Sequence, residues 1–591
     1  MPRFLPLLIL VLAGCQSHTN VHNAASASPD EEFHHAADEF MAGYLAWRPD
    51  TGTALGLHEY DGKVTDYRAA SLSAEHSRLK HFDNVFSNLQ SQPLNARNRY
   101  DLRILRTAID GELFKFDDLA VYTRNPMTYA GAIDVNIYVK RDFAPLEQRL
   151  KSIIAVENQS GLIFAAARSN LVETLPKPWV ETAIEVADGS ADFLKNDLVV
   201  AVRGLTNESL MAEFKVANDR AVAELRSYTE WLKTQKLPTA DASFALGREK
   251  FQKMLRGDEL IDLTPEQILE IGVRELRREQ QVFADAAKKI DPTLPAIEVF
   301  RNIQKDHPAA DNLIADTRKN LESIRQFTVD RKIVTMPSNV RARVEETPQY
   351  RRATSFASMD TPGPFETKAT EAYYYVTPVE KDWSPEKKEE WLTAFNFYTT
   401  DVVSIHEAYP GHYTQALWLN ASDATRTEKI FGSYAFVEGW AHYCEQMMLD
   451  EGFGLSGSPN PTAAELVTAA KYRLAQSDEA LLRLCRLCVA IRMHCQGMSV
   501  DEATKFFEDN CYYQPKPSYQ EAMRGTFDPG YLYYTVGKLQ ILKLRGDYRK
   551  QEGANFSLRT FHDDALRHGM PPIRLLREML LKDSKTWSEV L

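Results

Sequence analysis

Apolar residues recur at intervals of three and four over most of the chain after residue 30, a spacing that predicts amphipathic helices. The first such segment is Glu31 to Trp47. A capping box, Thr264-Pro265-Glu266-Gln267, opens a long charged helix with proline at its first position. Similar segments lie near 145–170, 178–197, 207–235, 311–327, 464–494 and 535–550. We therefore predict a mainly α-helical protein.

Residues 331 to 377 depart from this pattern. The segments RKIVTMP and NVRARVEE alternate in polarity and are rich in β-branched residues, and Ala372 to Pro378 reads AYYYVTP. Alternation with β-branched and aromatic residues is typical of strands. A small β-sheet is predicted here.

The N-terminus reads MPRFLPLLILVLAGCQ. Arg3 precedes nine apolar residues, Phe4 to Leu12, which are too few to span a bilayer because about 20 are needed. The pattern is typical of a secretory signal peptide, predicted over residues 1–14. Leu12 to Cys15 resembles a bacterial lipobox, which implies a lipid on the Cys15 thiol, and Gln16 favours the outer membrane facing the periplasm. The alternative is a plain signal peptide with an incidental cysteine.

Residues 15–30 are small and polar, as in a flexible tether. No repeat or change of composition marks a boundary after them, so residues 31–591 are predicted to form one domain. A hydrophobic content of 44% supports a large core. The net charge of −12 argues against nucleic acid as a partner.

Residues 406 to 412 read His-Glu-Ala-Tyr-Pro-Gly-His, and Glu438 opens the segment EGWAHYCE. His406 and His412 are candidate metal ligands, with Glu407 as a candidate general base. Two histidines and a glutamate are a common ligand set for one catalytic Zn²⁺ ion. Such an ion keeps a fourth position for water and lowers its pKa to about 7.

The two histidines are six positions apart rather than the usual four, which is about 600° around a regular helix. Pro410 breaks helical hydrogen bonding, and Gly411 permits unusual backbone angles. The pair is predicted to bulge the helix and return His412 to His406. The alternative is a helix that ends at Tyr409, with two ordinary histidines around a turn.

Five segments together resemble the bacterial family catalogued as domain of unknown function 885, many of whose members are predicted lipoproteins. They are SFASMDTPGP, FETKATEAYYYVT, VVSIHEAYPGHYTQ, FVEGWAHYCEQ and FDPGYLYYTVGKLQILKLR. The family is similar to helical zinc peptidases such as thimet oligopeptidase and angiotensin-converting enzyme. The resemblance implies that His406, His412 and Glu438 bind zinc and that Glu407 activates water. It also implies two helical lobes around a deep cleft, with a small sheet beside the active-site helix.

Other residues receive roles from their helical spacing or from the resemblance, each with a structural alternative. His442 and Glu445 lie one and two turns beyond Glu438 and are expected to support the ligands, although His442 could compete as a ligand. Tyr534, His494 and Arg524 are candidates for stabilising a tetrahedral intermediate, or else are buried core residues. Three tyrosines are predicted to form an edge strand that binds extended peptide, or else to pack in the core: Tyr373, Tyr374 and Tyr375.

These observations predict a zinc-dependent hydrolase, and most directly a peptidase that acts on short or unfolded peptides in the cell envelope. Gly-x-Ser-x-Gly and Walker-type motifs are absent from the sequence. Two alternatives stay open. One is an inactive lipoprotein that binds peptides or scaffolds other proteins, and the other is a zinc hydrolase that cleaves amides or esters other than peptides.

Overall fold

The computed structural model describes residues 28–348, 352, 356–455 and 460–591. The predicted signal peptide, the predicted lipidation site Cys15 and most of the tether lie outside the described residues. Helices dominate, as the periodicity predicts. The first half of the chain forms α1 (Pro29–Trp47), α2 (Pro49–Ala54), α3 (Ala69–Gln90), α4 (Ala96–Asp117), α5 (Val121–Arg124), α6 (Met127–Ala130), α7 (Asn136–Lys140), α8 (Leu146–Glu157), α9 (Ser160–Asn170), α10 (Lys177–Asp192), α11 (Val199–Val202), α12 (Glu208–Trp231), α13 (Arg248–Glu259), α14 (Pro265–Ile290), α15 (Ala296–Ile303) and α16 (Leu313–Asp330).

The second half contains the strands and the helices that carry the candidate site. Its helices are α17 (Pro385–Ala394), α18 (Phe397–Glu407), α19 (His412–Ala421), α20 (Arg426–Ile430), α21 (Tyr434–Asp450), α22 (Ala463–Gln496), α23 (Val500–Cys511), α24 (Pro515–Phe527), α25 (Tyr533–Glu552), α26 (Leu558–Leu566) and α27 (Ile573–Leu580). Its strands are β1 (Ala342–Glu346), β2 (Ala357–Asp360) and β3 (Ala372–Val376).

Capping side chains define where several helices begin. The predicted capping box at α14 is present, with Thr264 and Gln267 each bonded to the other's backbone. Ser28 and Glu31 form another at α1, so this helix begins at Pro29, two residues before the predicted start. Both boxes satisfy amide groups that would otherwise lack a partner in the first turn.

The helix α22, 34 residues long, runs through the main hydrophobic core. It packs against α14, α18, α21 and α25. A second apolar cluster fills the space between α8, α9, α10 and α12. No helix within the described ranges combines the length and apolar character needed to cross a bilayer.

The predicted small sheet is present beside α18, with strand order β1–β3–β2. The strand β1 runs parallel to β3, and β2 runs antiparallel to it. Two side-chain contacts attach the sheet to the site helices. Ser404 donates to the Tyr374 hydroxyl at 3.3 Å, and the Tyr409 hydroxyl accepts from the Ala342 amide at 3.1 Å.

The prediction that the tyrosine strand is an edge strand is wrong. Because β3 is central, its backbone pairs with β1 on one side and β2 on the other, which leaves no edge for a peptide. Tyr374 is buried, and the rings of Tyr373 and Tyr375 stack on the opposite face at 5.4 Å. These three residues therefore match the core-strand alternative.

Candidate metal centre

The HEAYPGH segment forms a break between two helices. The helix α18 ends at Glu407 and α19 begins at His412. The prediction of a bulge inside one continuous helix is therefore wrong, because two separate helices meet at a turn. The Gly411 amide donates to the Ile405 carbonyl at 3.0 Å. A Cβ at Gly411 would lie 1.7 Å from the His406 carbonyl oxygen, so only glycine fits this turn. The break still returns His412 to His406, with ring centroids 4.8 Å apart.

The helix α21 adds Glu438 to the two histidines. One carboxylate oxygen, Oε2, lies 3.5 Å from the Nε2 atoms of both His406 and His412. The three candidate ligand atoms lie within 4.8 Å of one another. Among the described residues, this is the group of histidine, cysteine and acidic side chains whose geometry suits a metal ion.

Hydrogen bonds orient both imidazoles toward this point. His406 uses Nδ1 to bind Glu445 at 2.7 Å, and His412 uses Nδ1 to bind the Gln415 side-chain oxygen at 3.3 Å. Each ring therefore donates from Nδ1 and presents Nε2 to Glu438. A carboxylate or carbonyl behind a histidine is the usual support of a metal ligand. Gln415 was not predicted, although its position three residues after His412 on the same helix face is a signal for such a contact.

The charges in the site complement each other. Burial disfavours a charged His406, yet its bonds to Glu438 and Glu445 outweigh burial and raise the pKa of His406 to about 10. Burial also opposes ionisation of Glu438, but the two histidines lower the pKa of this carboxyl. The site therefore favours positive charge at the point where the three side chains meet.

Glu445 connects the candidate ligands to the buried interior. It is fully buried, binds His442 Nδ1 at 3.0 Å, and lies 3.6 Å from the Arg483 guanidinium. Burial, with a contribution from Lys538, lowers the pKa of His442 to about 3, so this ring is neutral. His442 thus lies behind Glu445 rather than beside the other two histidines. Arg483 was not predicted, although a cation inside the apolar run LLRLCRLC is a sign of a buried charge partner.

Glu407 ends α18 directly after His406 and is partly exposed. Its carboxylate has no hydrogen-bond partner in the part of the chain that the structure describes. It is also separate from the three converging ligands. These features fit an acidic group that is free to exchange a proton with a molecule in the site.

The helix α25 brings Tyr534 to the same region. Its Gly537 crosses Gly439 of α21 so closely that a Cβ at Gly537 would lie 1.8 Å from the Ala435 carbonyl oxygen. Burial and the charge of Glu438 raise the pKa of Tyr534, while Arg524 opposes them. The phenol therefore stays protonated and lies near the candidate ligands.

Three guanidinium groups surround the Tyr534 ring. Arg486, Arg483 and Arg524 lie 5.3, 5.8 and 5.9 Å from its centroid. Arg524 also donates to Asp528 at 2.9 Å and to the Tyr434 hydroxyl at 3.2 Å. The structure thus brings together two of the candidate residues, Tyr534 and Arg524.

The structure assigns His494 to the core, contrary to the predicted catalytic role. Its Nδ1 accepts from the Leu246 amide at 3.3 Å and its Nε2 donates to the Gly525 carbonyl at 2.8 Å. Burial lowers its pKa to about 4. His494 lies eleven residues beyond Arg483 on α22, about 16 Å along the axis. With both nitrogens bound to backbone, the ring matches the structural alternative.

A family model described as "Bacterial protein of unknown function (DUF885)" matches residues 49–580. No curated protein sequence matches the chain.

Solved structures share the fold. A candidate lipoprotein of unknown function from Shewanella oneidensis has a TM-score of 0.76 at 25% identity, covering 93% of this chain and 100% of that one. A candidate lipoprotein from Colwellia psychrerythraea has a TM-score of 0.74 at 18% identity, and the match covers 95% of this chain and 99% of that one. A carboxypeptidase from Pyrococcus furiosus has a TM-score of 0.42 at 12% identity, and the match covers 95% of this chain and 98% of that one. This similarity is too weak to support a conclusion.

Proposed function

The chain belongs to the bacterial family of unknown function DUF885, as its motifs predict, and from this premise we propose that it is a zinc-dependent hydrolase that cleaves peptides. The observation that carries the proposal is the convergence of two imidazole nitrogens and one carboxylate oxygen, with Glu407 directly after His406 at the end of the same helix.

The donor set fits zinc. His406 and His412 supply nitrogen, Glu438 supplies oxygen, and Nδ1 of each imidazole is already held by a partner. Two histidines and one glutamate are a frequent ligand set of catalytic zinc, whereas calcium and magnesium prefer oxygen ligands alone. A zinc ion bound there would supply a Lewis acid that polarises a carbonyl group and acidifies water.

Three further side chains are proposed to act in the reaction. Glu407 accepts a proton from water during attack on the carbonyl carbon and passes it to the leaving amine. The protonated Tyr534 hydroxyl donates a hydrogen bond to the oxygen on which negative charge develops. Arg524 donates to the Tyr434 hydroxyl and lies 5.9 Å from the Tyr534 ring, so it is proposed to position the phenol.

The proposed location is the bacterial cell envelope, with a lipid on Cys15 anchoring the protein to the outer membrane on the periplasmic side. The lipobox-like segment supports the anchor. The two relatives with the same fold are themselves described as candidate lipoproteins. Short or unfolded periplasmic peptides would be the substrates.

The deciding experiment measures bound metal and cleavage of a mixed library of quenched peptides, with and without a chelator. We expect about one zinc ion per chain and cleavage that the chelator abolishes and added zinc restores. Bound zinc without peptide cleavage would favour a different amide or ester substrate. A chain that lacks both zinc and cleavage, yet retains labelled peptides, would be a binding lipoprotein.

A further inference from the structure

A cavity of about 1140 Å³ lies next to the candidate metal centre but does not include it. It is enclosed by α14, the first half of α22, the second half of α21 and α25. Neither His406, His412 nor Glu438 lines it. The cavity begins one helical turn beyond Glu438, at His442, and the hydrogen bond between His442 and Glu445 separates the two regions. We call it the Lys538 cavity.

Three polar side chains meet at its buried end. Lys538 and Thr535 of α25 are 6% and 2% exposed, and His442 of α21 is 1% exposed. The Thr535 hydroxyl has no hydrogen-bond partner. Within the described ranges the Lys538 ammonium group has no hydrogen-bond or ion-pair partner either, and His442 uses only Nδ1. Buried polar groups without partners are rare in native proteins and call for a missing ligand or water.

Some of the charges on the walls are paired with each other. Asp450 binds Arg473, and Glu275 lies 3.4 Å from Arg278. Burial lowers the pKa of Lys538, while the charge of Glu279, which also lines the cavity, opposes that shift. No ion pair joins Lys538 and Glu279 in the part of the chain that the structure describes. The buried end therefore offers a cation and a hydroxyl that are free to bind an anion.

The remaining walls are largely apolar. Leu449, Phe453, Leu542, Val282 and Val467 are among the apolar residues that line the cavity. Leu466 at the first turns of α22 is 53% exposed, so the cavity has an apolar rim at the surface. A pocket with apolar walls and a few convergent polar groups is the usual form of a small-molecule site, and this volume slightly exceeds the usual range of about 300–1,000 Å³.

From this geometry we propose that the Lys538 cavity binds an organic carboxylate with an extended apolar body. The carboxylate accepts hydrogen bonds from Lys538 and Thr535 at the buried end, and the apolar body runs between Leu449, Phe453 and Leu542 toward the surface. The site is outside the proposed metal centre, and the inference does not depend on hydrolase activity.

Binding of decanoate, measured by calorimetry on the full chain, tests this inference. A Cys15→Ser background removes the predicted acylation, so that no detergent competes for the probe. Decylamine, with the same chain and the opposite charge, is the matched ligand. We expect one decanoate to bind per chain and decylamine to bind at least tenfold more weakly. No decanoate binding, or equal binding of both ligands, would overturn the proposal.

Lys538→Met keeps the length of the side chain and removes the charge, and it is expected to weaken decanoate binding at least tenfold. Lys550→Met is the control, because Lys550 is exposed on the same helix and does not line the cavity. Thermal melts establish that both variants fold. Equal decanoate affinity in the two variants would contradict the assignment of Lys538 to the carboxylate.

A measurement on the unsubstituted protein locates the ligand directly. Crystals grown with 10-bromodecanoate would give anomalous scattering at the bromine position. We expect the bromine between α14 and the first turns of α22, with the carboxylate at Lys538. A carboxylate bound at His406 and His412 instead would overturn the inference and would leave the proposed metal centre intact.

Discussion

Glu407 and His406 are adjacent in sequence, yet their surroundings give them different properties. His406 is buried and held between Glu438 and Glu445, whereas Glu407 is partly exposed and without a described partner. The motif was enough to predict both residues. It could not reveal the supports of the histidines, because Gln415 and Arg483 act through contacts that only the folded chain creates.

The first prediction concerns Glu407→Gln, which keeps the shape of the side chain and removes its ability to accept a proton. Turnover of a quenched peptide is expected to fall 10²- to 10⁴-fold, the usual loss for a general base, while bound zinc stays unchanged. Glu390→Gln, on the exposed surface of α17, is the control. Full turnover in the Glu407 variant would remove this residue from the mechanism.

The second prediction concerns acid stability and His494. Its folded pKa of about 4 lies below the unfolded value near 6.5, so the unfolded chain takes up a proton first as the pH falls. The stabilisation from the neutral ring is complete above pH 6.5 and is lost toward pH 4, by about 3 kcal/mol.

The measurement is the free energy of unfolding of the metal-free protein between pH 4 and 8. The slope of the free energy of unfolding against pH gives the number of protons taken up on unfolding. His494→Gln is expected to reduce that number by close to one between pH 4 and 6.5. It will not abolish the dependence, because burial also lowers the pKa of His562 to about 3. Identical pH profiles for the variant and the parent would contradict the assignment.

At the scale of elements, close backbone contacts place the site residues. Gly411 allows the turn between α18 and α19, and Gly537 with Gly439 allows α21 and α25 to cross. The six-residue spacing predicted an irregularity at Pro410 and Gly411. Whether it would be a bulge or a break could not be predicted, because Trp440 of another helix binds the Pro410 carbonyl at 2.9 Å.

The third prediction is that replacing Pro410 and Gly411 together with alanine weakens zinc binding. Alanine favours a regular helix over glycine by about 1 kcal/mol and over proline by about 3 kcal/mol, and a Cβ at position 411 meets the His406 carbonyl. His412 would turn away from His406. Competition with a zinc-sensitive dye measures the affinity. Unchanged affinity would mean that the break does not position His412.

The fourth prediction is that Gly537→Ala lowers the free energy of unfolding by at least the 1–3 kcal/mol typical of overpacking, because the added methyl group meets the Ala435 carbonyl oxygen. Gly546→Ala is the control on the same helix, where no atom lies within 4 Å of the new Cβ. That control is expected to be neutral or stabilising. Denaturant unfolding measures the free energy of unfolding of both variants. Equal free energies of unfolding for Gly537→Ala and Gly546→Ala would contradict the prediction.

At the scale of the whole molecule, the mainly helical class and the small sheet follow from local periodicity, which the sequence displays directly. The order of the strands does not, because β3 becomes central only when β1 and β2 pair with it across intervening loops. The Lys538 cavity was likewise invisible, since its walls come from four helices that are distant in sequence. Local sequence patterns predict helices and strands, whereas contacts between distant segments determine how these elements pack and which cavities they enclose.

The helices α21 and α25 carry the candidate metal centre and the Lys538 cavity in consecutive turns, with Glu438 followed by His442 and Tyr534 followed by Lys538. Two ligands bound to one rigid pair of helices form a closed thermodynamic cycle. Any factor by which zinc changes the affinity for decanoate must equal the factor by which decanoate changes the affinity for zinc. We expect a factor different from one, because His442 and Glu445 connect the cavity to His406. Titrating decanoate with and without saturating zinc measures it, and equal affinities would show that the two sites are energetically independent despite their shared helices.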